Sequence, residues 1–154
     1  MTTESSSFRR AATALTVAGA LPFIGLVVGM AVLPPPTNLT ASFWLMVYAT
    51  VILSFLGGIR WGLAIAGSAA NASTLGLSVL PALAGWVIVP YAILVQQAPG
   101  AEWFAVYALL FAVQAYWDRC SDDVPPWFKP VRLTVSGIVI ASLLGAWAIR
   151  QFLG

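Results

Sequence analysis

The sequence predicts an all-α, polytopic membrane protein: a bundle of five transmembrane helices in one membrane domain spanning residues 1–154. Three observations predict it. Of the 154 residues, 60% are hydrophobic and only 8% are charged, against about 25% charged in an ordinary soluble domain. There is too little polar surface to coat a water-soluble sphere, so the solvent must be lipid. Five segments are long and apolar enough to approach the roughly 20 residues that a spanning helix requires. Finally, the segments are separated by short stretches of Pro, Gly, Asn, Asp and Ser, the residues that interrupt helices.

The first span covers residues 11–33 and stops at Pro34, Pro35 and Pro36. The second runs over 41–66 and the third over 74–95, separated by "SAANAS" at 68–73. "QQAPG" ends the third. The fourth covers 102–117, and "DDVPPWFKP" divides it from the fifth, at 131–152. Such short connections predict an up-down bundle with almost no domain outside the bilayer. Arg9 and Arg10 followed by an apolar run imitate an export signal, but the run is longer than the 7–15 residues or so of a signal core. It is expected to stay as the first span.

Orientation follows from basic residues near the span ends. Arg9 and Arg10 precede the first span, and Arg119, Lys129 and Arg132 flank the connection between the fourth and fifth. With five crossings these regions share a side, and Arg150 stands on the other. The asymmetry predicts an N-in, C-out topology. Trp117, Trp127, Phe128 and Arg132 read as interfacial anchors on the inner side, where aromatic belts collect. Trp61 and Trp86 lie deeper and read as packing residues.

Lipid provides no hydrophobic drive between helices, so close backbone approach matters more, and small residues four apart permit it. The second span carries such a stripe in Ser54, Gly58, Gly62 and Ala66; the fifth carries Gly137, Ala141 and Gly145. These are expected to pack within the bundle, with an oligomer interface as the rival use. Pro22, Pro81 and Pro90 are expected to bend their helices or free a carbonyl.

Within "SFLGGIRWGLAIAG", residues 54–67, an arginine interrupts the apolar run. At 100° per residue Arg60 falls roughly opposite the Gly58/Gly62 stripe, which places the second span at the bundle centre. A charge at membrane depth ordinarily faces the interior and pairs, or snorkels to an interface. Arg60 lies about 28 Å along its helix from Ala41, and Asp118 about 24 Å from Glu102, at 1.5 Å per residue. The two spans run the same way, so both side chains reach a similar depth. The expectation is an Arg60–Asp118 ion pair, or an anion or lipid site, with Gln114 one turn away on the same helix. An arginine stays protonated and does not shuttle protons.

Three stretches resemble a family: "GALPFIGL" at 19–26, "YATVILSFLGGIRWGLA" at 48–64 and "WFKPVRLTVS" at 127–136. They are similar to a domain-of-unknown-function family of small multi-spanning bacterial membrane proteins with a mitochondrial transmembrane relative. The most specific part is carried by Phe55, Leu56, Gly57, Gly58, Trp61 and Gly62; the next by Trp127, Phe128, Arg132 and Leu133. Phe128 stands where the family often has Tyr, and Pro130 where it has another residue. The resemblance implies the membrane class and an inner-membrane location, bacterial first and mitochondrial second, and no particular activity.

For function, the chain has no histidine, the commonest general base and metal ligand. A single cysteine, Cys120, precludes an intrachain disulfide and reads as a free thiol. No catalytic residue, cofactor or metal is expected, and no basic patch suggests nucleic acid. The leading reading is a non-enzymatic accessory, assembly or scaffold protein in contact with the lipid bilayer, binding a membrane protein partner, a lipid or further copies of itself. The alternative is a small oligomeric transporter or channel with Arg60 and Asp118 near its inner mouth. An enzyme built on Asp118, Cys120, Asp122 and Asp123 ranks last, as these lack a catalytic constellation.

Overall fold

A computed structural model describes residues 3–66, 72–122 and 124–153. The "SAANAS" connection therefore lies largely, and Asp123 wholly, outside the described residues. Six helices make up the described residues: α1 (Thr3–Ala18), α2 (Leu21–Val32), α3 (Thr37–Ala66), α4 (Ala72–Leu94), α5 (Ala101–Cys120) and α6 (Lys129–Phe152). Among the described residues there is no strand. The protein is all-helical, and four of its helical segments are long and apolar enough to cross a membrane: Ser6–Val32, Thr37–Ala66, Ala72–Leu94 and Lys129–Phe152.

The first span is broken. Pro22 sits in the first turn of α2, where its missing N–H and ring prevent the i→i−4 bond back to Ala18. The chain therefore turns at Gly19 and Ala20. Tyr48 on α3 donates its hydroxyl to the Gly19 carbonyl at 3.0 Å, which satisfies one backbone acceptor at the break. By contrast α4 continues through both Pro81 and Pro90. α5 falls short of the composition of a spanning helix because Glu102, Gln114, Asp118 and Arg119 interrupt it. Gln114 and Asp118 lie on its buried stripe with Phe104, Tyr107 and Phe111, so its polarity points into the protein.

α5 and α6 form one closely packed hairpin, and α3 and α4 the other. α2 joins the two by packing on both α3 and α6, and a thinner contact between α3 and α5 completes a ring. α4 lies outside that ring, packed mainly on α3, while α1 packs mainly on α6. The core inside the ring is built from Phe23, Leu45, Met46, Leu53, Phe104, Tyr107, Phe111 and Leu143. Phe23 is the keystone of its aromatic part, with edge contacts to Tyr48 at 5.0 Å and Phe111 at 5.7 Å between centroids. Such edge-to-face contacts add to simple packing, the main source of helix association where lipid competes on equal terms with apolar side chains.

The small-residue stripes are not where the helices meet. Gly58, Gly62 and Ala66 are exposed, as are Gly137 and Ala141, and a Cβ added at Gly58, Gly62 or Gly137 would meet nothing. Ser54 is half-buried and donates to its own helix at Thr50 O. Gly145 alone of these glycines approaches a neighbour, Val27 of α2, at an ordinary packing distance. The close approach on α3 is made one residue earlier. Gly57 is buried, and a Cβ there would collide with the backbone carbonyl of Ser78 on α4. Gly85 on α4 is equally tight against Thr50. A Gly–Gly pair marks a crossing without saying which of the two faces it, and the rotation of α3 gives that place to Gly57. Trp61 and Trp86 also point outward, at 41% and 70% exposure, and are not packing residues. α3 thus presents one free face and is not enclosed on both sides.

This geometry separates two adjacent glycines. Gly57→Ala should destabilise the protein by about 1–3 kcal/mol, the usual penalty of overpacking. Gly58→Ala should be neutral or stabilising by up to ~1 kcal/mol, from helix propensity alone. Thermal unfolding in detergent checks the pair; equal effects would contradict the crossing described.

Candidate functional site: a buried charge cluster and a lateral cavity

Arg60 lies in the last third of α3, Asp118 in the last turn of α5 and Arg132 in the first turn of α6. All three are buried, at 2%, 3% and 9% exposure. Burying three ionised groups is tolerable only with paired charges and good geometry, and Asp118 meets that condition by using both of its oxygens. Its Oδ1 accepts a hydrogen bond from Arg60 Nη2. Its Oδ2 accepts one from Arg132 Nε at 2.6 Å, and Arg132 Nη2 lies 2.6 Å from the same oxygen. One carboxylate therefore bridges two guanidiniums carried by different helices. Charge-assisted bonds of this kind are the strong ones.

Aromatic rings close the cluster on the outside. The Arg60 guanidinium lies 4.9 Å from the centroid of Trp117, a cation–π contact that strengthens when water is excluded. Trp127 and Phe128 meet in a tilted contact at 5.1 Å between centroids, and Arg9 from α1 sits over the Trp127 ring at 5.2 Å. Gln114 is buried one turn above Asp118, and its Nε2 has no hydrogen-bond partner among the described residues.

Arg60, Asp118 and Gln114 are thus brought to one end of the ring. Arg132, expected as an interfacial anchor, is instead the third charge of the cluster. A signal for it existed: Asp118 and Arg132 stand equally far from Pro125, the middle of the α5–α6 connection. A helical hairpin places such residues opposite each other. Trp127 and Phe128 are half-buried and adjoin the cluster, and Trp117 covers Arg60. Cys120 is a free, exposed thiol and Asp122 is exposed. Among the described residues no group of His, Cys, Asp and Glu could hold a metal ion.

Beside the cluster a cavity of about 350 Å³ opens between α1, α2, α3 and α6, with Phe111 of α5 at its back. Its origin is the break at Gly19 and Ala20. α2 packs on both α3 and α6, whereas α1 packs mainly on α6, and a gap opens between α1 and α3. The lining is apolar except for Thr16, Ser136 and Arg132. The opposite end of the molecule is tied by exposed or half-buried hydrogen bonds rather than by a buried charge cluster. Gln96 donates to Glu102 Oε1 and accepts from Trp103 Nε1, both at 2.6 Å, and Arg150 Nε donates to Pro99 O at 3.2 Å.

Removing the bridging carboxylate should be worse than crowding the Gly57 crossing. Asp118→Ala should cost about 3–5 kcal/mol, the range for a buried pair stripped of one partner. Adding Arg132→Ala to it should cost markedly less than the sum of the two single changes, because both report on the same bridge. A double-mutant cycle on detergent-solubilised protein measures this; strict additivity would show that the bridge contributes nothing.

Comparison with known proteins agrees with this architecture. The chain is 29% identical over 143 residues to Transmembrane protein 69 of Xenopus tropicalis, a match that takes in 86% of the chain and 51% of the relative. The chain therefore spans about half the length of that protein. No solved structure matches it significantly. The family described as a protein of unknown function, DUF3429, matches residues 8–148. That match covers nearly all the helices and the whole charge cluster, and the chain is a membrane protein that belongs to the DUF3429 family.

Proposed function

We propose that the chain is a non-enzymatic accessory or scaffold protein of a bacterial inner membrane, oriented with its N-terminus inside, that holds a membrane protein partner at the end bearing the charge cluster. The mitochondrial inner membrane is the alternative location. One observation carries the reading. The charges that the chain places at membrane depth are turned on one another across α3, α5 and α6. Polar groups that serve transport or catalysis face a pathway or a substrate; these hold three helices in a fixed arrangement. A rigid end of this kind suits docking.

The basic residues Arg9, Arg10, Arg119, Lys129 and Arg132 gather at that same end, which supports the inward orientation by the distribution of positive charge. Trp127 with Arg9 above it provides an aromatic and cationic rim, the residue types enriched where proteins meet.

The test is extraction of the tagged chain from its own membranes in a mild detergent, followed by native electrophoresis and mass spectrometry. The reading predicts a complex of fixed composition, reduced by an Asp118→Asn variant that still inserts. Recovery of the free chain alone, under conditions that preserve other membrane complexes, would overturn it.

A further inference from the structure

We infer that the lateral cavity is a binding site for one acyl chain of an anionic phospholipid, with the headgroup held at its basic end. The inference rests on the membrane-embedded reading above and adds a ligand class and a site to it.

The shape suits a chain. On α6 the lining residues run from Phe128 to Val139, about 16 Å at 1.5 Å per residue. The cavity is thus elongated along the helices rather than round. Its volume of about 350 Å³ falls at the lower end of ligand pockets, which run from roughly 300 to 1,000 Å³. Leu15 and Phe55 both line it and are 74% and 63% exposed, so its mouth faces the bilayer. A chain can enter sideways while its headgroup stays at the interface. That entry route favours a lipid of the surrounding membrane over a free fatty acid.

The charge selects the headgroup. Arg132 is the one ionised side chain in the lining. It has five N–H donors, and Asp118 Oδ2 engages those at Nε and Nη2. Lys129 lies one turn before it on α6, and Arg9 and Arg10 are exposed on α1 at the same end. Arg9 stands over Trp127, next to Phe128 in the cavity wall. A phosphate bearing net negative charge meets several cations there, with Asp118 already engaged by its two arginines. A zwitterionic headgroup would bring its own cation into the same positive field.

The experiment measures lipid retention by native mass spectrometry of the purified, delipidated chain after incubation with phosphatidylglycerol, phosphatidylcholine or palmitate. Phosphatidylglycerol should be retained about tenfold more strongly than the other two, because phosphatidylcholine brings its own cation into the positive field and palmitate lacks a headgroup anchored at the interface. Ser136→Phe and Thr16→Phe, which fill the cavity from two walls without touching the charge cluster, should each abolish the preference. Equal retention of phosphatidylcholine, preferential retention of palmitate, or an unchanged preference in a folded wall variant would each overturn the inference. The wild-type comparison decides even if both variants misfold. Loss of lipid selectivity with an intact protein complex rejects this site alone, and the converse rejects the scaffold reading alone.

Discussion

The structure depends on one carboxylate. Asp118 joins Arg60 of α3 to Arg132 of α6, at the end of a ring whose α3–α5 contact is otherwise thin. In water such a bridge would compete with solvation and contribute little. In a chain whose solvent is lipid, an unpaired guanidinium has no cheap alternative, so the pairing dictates which way α3, α5 and α6 face. The exposure of Gly58, Gly62 and Trp61 follows from it: once Arg60 points inward, residues on the other side of α3 must point out. The same rotation brings Gly57 against the Ser78 carbonyl and so places α4.

A second constraint is the proline at the start of α2. By ending α1 it lets the N-terminal helix leave α3, and the cavity is the space that departure creates. The aromatic core below, with Phe23 between Tyr48 and Phe111, seals the cavity from the rest of the ring. Charge cluster and cavity meet at Arg132, which belongs to both. A group at the basic end of the cavity meets the side chain that helps hold three helices together.

Much of this was legible in the sequence, and the exceptions have physical causes. The helical segments follow from length and apolarity, although α5 is too polar to match the composition of a spanning helix, and their observed ends differ by a few residues, except that the first helix extends back to Thr3 and is broken at Gly19. The proximity of Arg60 and Asp118 could be read from depth, because rise per residue is constant along a helix. What depth does not provide is rotation. Membrane helices are apolar on every side, so the periodicity that orients a helix in a soluble protein is weak, and the spacing of the glycine stripes of α3 and α6 suggests contacts although most of these residues face outward. Arg132 was missed for a related reason. A basic residue next to Trp127 and Phe128 has the composition of an interfacial anchor, and only the hairpin geometry about Pro125 shows that it faces Asp118. The cavity has no sequence signature beyond Pro22, since it arises from the way α1 packs mainly on α6 and leaves a gap toward α3.

The most direct test of the account is the distance across the bridge in a bilayer. Solid-state NMR dipolar recoupling, on protein with ¹⁵N-labelled arginine and ¹³C-labelled aspartate reconstituted in lipid, measures it at Asp118. The account predicts that the Asp118 carboxylate carbon lies within about 4 Å of guanidinium nitrogens, the separation expected of a formed ion pair, and that substituting either Arg60 or Arg132 removes part of the signal. A folded, reconstituted protein in which the Asp118 carboxylate shows no arginine coupling would contradict it.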